Sequence, residues 1–187
     1  MTQPVSEKPG SMGGIVEENT HAIGQLVGLL EQMPGDLYRQ CFGSRKQHVI
    51  GKHVRHIIDH YTALLLCTSG TGELLDYENR NRELSLETDK RAAAGRLLEI
   101  SDELSEYFAQ GSTGALGMIH NSHGERQLMQ TSVDRELVFL ASHTIHHMAI
   151  IGMLAEQAGI EVSAEFGVHP STLRYLERQV SGMAESA

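Results

Sequence analysis

The stretch Ala141-Ser142-His143-Thr144-Ile145-His146-His147-Met148-Ala149 lies inside an apolar run covering residues 133–158 and puts three imidazoles within five residues. Residues four apart on a helix stand one above the other, so His143 and His147 can aim their rings at one point. That is the spacing of two metal ligands carried by one helix. At about 100° per residue, Val133, Glu136, Leu140, His143, His147, Ile150, Ile151 and Leu154 share one stripe, whereas His146 lies roughly a quarter turn off its centre. The inward pair is therefore His143 and His147, with His146 left to serve the surroundings. A second apolar strip, Val138, Ala141, Ile145, Met148 and Ala155, covers another side of the same helix. It predicts a helix that is central in its bundle or shared with a second copy of the chain, and hence a homodimer. The competing explanation of the two imidazoles is a pair of hydrogen-bonded core histidines.

Working outward, the chain of 187 residues suits one domain, and 40% hydrophobic content supports a real core. There is no repeat with a period of about 20 to 50 residues. Nor is there a run of about 18 or more apolar residues that would span a bilayer, so no membrane partner is expected. The net charge of −9, with pI about 5.6, disfavours nucleic acid, whose non-specific capture rests on clustered Lys and Arg. Residues 1–12 read as a disordered leader broken by Pro4, Pro9 and Gly10, without the apolar segment of a signal peptide, and a cytoplasmic location is expected. Cys41 and Cys67 make no disulfide framework and are read as free thiols.

A single all-α domain, a four-helix bundle over residues 13–180, follows from the periodic segments. The first helix, residues 13–33, carries Ile15, Ile23, Leu26, Val27, Leu29 and Leu30 and stops at Pro34-Gly35. The second starts near Gln47 or His48 and ends before Ser69-Gly70-Thr71-Gly72. Residues 73–86, charged and aperiodic around Asp76 to Arg82, read as a long crossover between helices two and three that borders the site. The third helix covers residues 87–108, with Ala93, Leu97, Leu98, Ile100, Leu104 and Phe108 toward the core. Between 111 and 131 a short hairpin is expected around Asn121-Ser122-His123-Gly124, where His120 and His123 read as surface residues. The fourth helix, 132–158, ends at Gly159. A short helix over 171–180 follows, and residues 181–187 are expected to fray.

The second helix holds the other histidine group. His53, His56 and His60 share one line with Val49, Ala63 and Cys67, while Val54, Ile57, Ile58, Tyr61 and Leu65 form an apolar side. Periodicity does not choose among the three. One of them joining His143 and His147 would make a metal site in a bundle core. Three neutral imidazoles and no thiolate favour a divalent transition metal, zinc or nickel before iron or copper. Such a site keeps a coordination position open for water or substrate, the usual arrangement of a catalytic zinc.

Two segments, His56-Ile57-Ile58-Asp59 and Ser142-His143-Thr144-Ile145-His146-His147, resemble the DinB-like superfamily, also called the damage-inducible or bacillithiol- and mycothiol-dependent transferase-like superfamily. The resemblance implies a four-helix bundle with a long crossover, and a divalent metal held by one His of the second helix and the HxxxH pair of the last. It selects His56, which joins His143 and His147 as ligands. Asp59, His60 and Glu136 are then candidates to orient a ligand imidazole or move a proton, the alternative for each being packing without chemistry, and His146 serves the surroundings. It also implies a small-molecule or low-molecular-weight thiol substrate. The expected function is a metal-dependent thiol S-transferase or hydrolase, the alternative being a metal-binding stress protein without catalysis. A third reading is a pure interaction module that dimerises through the fourth helix.

Overall fold

The computed structural model describes residues 12–69, 74–109 and 114–184. In chain order the elements are α1 (Met12–Gln32), α2 (Gly35–Arg39), α3 (Ile50–Thr68), α4 (Ser85–Thr88), α5 (Lys90–Ala109), β1 (Ala115–Ser122), β2 (Glu125–Ser132), α6 (Val133–Gln157) and α7 (Pro170–Ala184). The fold is mostly helical. The helices stop where chain chemistry stops them: Pro34 ends α1, and Gly159, at a φ of +83°, turns the chain after α6. Ser132 caps α6, its hydroxyl accepting the Arg135 amide at 3.3 Å.

Helices α1 and α3 each lie against both α5 and α6. Ile23, Leu26 and Leu30 of α1 meet Ile57, Tyr61 and Leu64 of α3, Leu97 and Ile100 of α5, and Leu137 and Ile151 of α6 in one apolar core. Burial of such side chains contributes about 1.5–3 kcal/mol each before entropy is counted. A polar tie crosses this core. Asn19 donates to the Leu137 carbonyl at 3.2 Å, Tyr61 donates to the Asn19 amide oxygen at 2.7 Å, and Thr144 donates to the Tyr61 hydroxyl at 3.2 Å. Lys90 covers the open carbonyls at the end of α1, reaching Leu30 at 2.9 Å and Met33 at 2.5 Å.

The all-α expectation needs one correction, a two-stranded antiparallel sheet of β1 and β2. Ser122 pairs with Glu125 across a two-residue turn, His123-Gly124, in which both residues have positive φ, +52° and +84°. That geometry matches the strand twist and suits glycine at the second position. The sheet also captures the crossover. Leu75 donates to the Gly117 carbonyl at 2.9 Å and accepts from the Ile119 amide at 2.8 Å. His120 and His123, at the turn end of the hairpin, are exposed as expected.

Further differences are local. Helices α2 and α4 are too short to show a period, and neither was expected. Leu98 is 49% exposed and faces solvent, not the core. Helix α7 is assigned over Pro170–Ala184. The expectations for residues 1–11, 70–73, 110–113 and 185–187 lie outside the described residues.

The second apolar strip of α6 is buried within the chain, except for Val138. Helix α1 and the segment 160–168 cover it; Gly167, at a φ of +69°, brings that segment so close that a β-carbon there would stand 2.6 Å from the Ala149 amide nitrogen. The width of the apolar surface that suggested a homodimer is thus accounted for inside one copy. By length and composition α6 could cross a membrane, but half of its most apolar window is buried inside the fold.

Candidate metal centre

The inward stripe of α6 and the histidine line of α3 face each other, which follows from the buried positions on either side: Ile57, Asp59, His60, Tyr61 and Leu64 on α3, and Leu140, Ala141, Thr144 and Ile145 on α6. Five imidazoles meet between them. The Nε2 atoms of His56 and His143 stand 3.1 Å apart. His147 has its ring centre 4.6 Å from each of theirs. His60 lies 4.3 Å from the His56 ring and 4.4 Å from the His143 ring. His53 closes the row, its Nδ1 3.0 Å from the Nδ1 of His147.

Potential ligand atoms of His56, His60 and His143 all lie within 4.8 Å of one another, so these three could hold a metal ion. Two imidazole nitrogens about 3 Å apart either share a proton or share a cation, and a zinc–nitrogen bond of about 2.0–2.1 Å places neighbouring ligand nitrogens only slightly farther apart than that. Burial supplies the correct protonation state. It pushes His56, His60 and His147 down to about 3, with neighbouring rings or Arg80 adding to the depression, and lowers His53 and His143 in the same direction. All five are neutral at pH 7, which is the ligand form.

His60 differs from the rest in being satisfied already. Its Nδ1 lies 2.7 Å from the His56 carbonyl oxygen, and the Arg80 guanidinium packs on the same ring edge, against that Nδ1 and 3.2 Å from the Nε2. Tyr77 stacks on the same ring, 5.0 Å centre to centre, and donates to the Glu136 carboxylate at 2.9 Å. Glu136 is fully buried and also accepts from Thr131 at 2.5 Å and Arg135 at 2.8 Å. It therefore reaches the imidazoles through intermediaries, Tyr77 on His60 and Arg135 over Phe139.

The remaining site expectations sort as follows. Asp59 is buried but turned from the rings, 2.6 Å from Arg55; burial raises its carboxyl and Arg55 opposes the rise. His146 is exposed, with its ring edge toward His147 at 5.3 Å. Tyr77, Arg80 and Phe139 were missed, the last stacked on His143 at 5.3 Å. The first two sit in the aperiodic crossover, where spacing carries no signal, and Phe139 passes for ordinary core.

A model of the DinB family matches residues 1–167. The chain belongs to the DinB family. The resemblance read from the two histidine segments thus extends over most of this DinB chain. It is also 31% identical over 109 residues to a protein of Rhizopus delemar named FK506-binding protein 5. That match takes in 57% of this chain but 28% of the fungal protein, so the DinB chain spans little more than a quarter of that relative's length.

Proposed function

We propose that this DinB protein is a divalent-metal-dependent enzyme acting on a small molecule, by S-transfer from a low-molecular-weight thiol or by hydrolysis. The observation that carries it is the row of neutral, half-buried imidazoles around the close His56 and His143 pair. Four long helices support the corresponding bundle: α1 and α3 pack against α5 and α6, and the chain between α3 and α4 is the crossover.

His56, His143 and His147 are the ligands in this reading. The grouping of His56 and His143 with His60 is spatially tighter, but His60 already serves the His56 carbonyl and Arg80, and a guanidinium against the ring opposes a second cation on it. His147 has the arrangement expected of a ligand. Its Nδ1 is held by His53, which makes Nε2 the nitrogen for a metal, as ligand imidazoles are commonly oriented through their other nitrogen. A divalent metal held there supplies a Lewis acid that favours the deprotonated form of a thiol or water at neutral pH. The surrounding residues do the positioning: His53 orients His147, while Tyr77 and Arg80 fix His60 at the rim.

Elemental analysis of the purified protein, combined with a panel of small thiols and electrophiles, tests the proposal. Near-stoichiometric zinc or nickel with turnover that a chelator removes is the expected result. Metal without turnover across the panel favours the non-catalytic alternative, and protein without metal overturns both.

A further inference from the structure

A cavity of about 200 Å³ opens between α3, the crossover and α5, on the far side of Arg80 from the imidazoles. Arg80 lines it and also rests on His60, so one side chain belongs to both spaces. Two other cations nearby are already paired. Arg55 holds Asp59 at 2.6 Å and Glu87 at 2.7 Å, and Arg96 holds Glu99 at 3.1 Å and Glu103 at 2.6 Å. Arg80 makes no ion pair with a carboxylate among the described residues, although Asp59 and Asp76 on the same lining favour its charge from farther away, and its Nε is buried without a hydrogen-bond partner. A guanidinium nitrogen shut from water and left unpaired is costly, and the partner that matches its planar fork is a carboxylate.

We propose that this cavity captures a small molecule by its carboxylate, with Arg80 as the anchor. Ile58, Ala63 and Leu74 offer the ligand an apolar wall. Asp76 and Glu83 on the same lining, with Asp59 beside them held by Arg55, disfavour a second negative charge and favour an amine or hydroxyl, so the class is a monocarboxylate or a zwitterion. Only the direction of the rest of the ligand, past His60 toward the rings, rests on the proposed function. Carboxylate capture itself requires no metal.

The test uses the full chain stripped of metal, with N-acetylcysteine and its uncharged amide as probes, followed by calorimetry. The acid is expected to bind at least about tenfold more tightly than the amide, as a bidentate charged pair should. Arg80→Gln is expected to abolish that preference and Arg80→Lys to keep part of it. Equal affinity of the two probes for the wild-type protein, no binding of either, or an undiminished preference in Arg80→Gln would overturn the proposal. The wild-type comparison decides it even if the variants fail to fold. A protein that binds no metal yet prefers the acid removes the proposed function and leaves this inference standing.

Discussion

His53 and His147 meet through their Nδ1 atoms at 3.0 Å, which leaves the Nε2 of His147 for another partner. If that partner is a metal, His53 acts by orientation. His53→Ala is expected to weaken metal binding about 10–100-fold, the usual effect of losing such a supporting bond, whereas His147→Ala abolishes it. Chelator competition measures both. Wild-type affinity in His53→Ala would show that His147 needs no support.

His60→Ala and His146→Ala are expected to keep most of the metal. The first residue is satisfied by a carbonyl and Arg80, and the second is exposed. Metal content after gel filtration reads this directly. Loss of metal in His60→Ala with retention in His147→Ala would transfer the third ligand position to His60.

The depressed imidazoles also predict an acid limit. His56, His60 and His147 fall from 6.5 to about 3 on folding, so the unfolded chain takes up protons first as pH drops. Their contribution is fully present above about pH 6.5 and is lost as pH falls toward 3. Asp59 is shifted upward and has the opposite sign. Urea midpoints of metal-free protein should therefore fall between pH 7 and pH 5, above the carboxylate range, whereas protons should displace metal from the folded protein only nearer pH 3. A flat profile there would exclude buried neutral rings.

Gly51→Ala tests the seat of α3. A β-carbon at Gly51 would stand 2.1 Å from the Glu87 carbonyl oxygen, a backbone atom unable to rotate away. Overpacking of this kind costs about 1–3 kcal/mol, and urea unfolding should show it. An unchanged midpoint would mean that α4 moves freely from α3.

The long helices and the inward pair of α6 were legible because periodicity survives over many turns: Leu140, His143, His147 and Ile151 keep one stripe in sequence and in space. The choice among His53, His56 and His60 was not. All three point into the same narrow space, and what separates them is the bonding of each ring, with Arg80 and the His56 carbonyl on one and His147 on another. Arg80 arrives from a segment without period, placed by the backbone pairing of Leu75 to the hairpin. Asn19 belongs to no pattern in the sequence, yet it is fully buried because Tyr61 and the Leu137 carbonyl satisfy it.

That buried tie has a consequence for how the rings stay aligned. Tyr61 is the chain neighbour of His60, and Thr144 is the neighbour of His143; the two hydroxyls touch at 3.2 Å. An axial slide of α6 along α3 by one residue's rise, about 1.5 Å and without rotation, is enough to break this bond. The Asn19, Tyr61 and Thr144 contacts therefore work as a detent, a notch that lets α3 and α6 settle at one axial setting. Greasy surfaces alone would allow several such settings, and only this one brings the nitrogens of His56 and His143 to 3.1 Å.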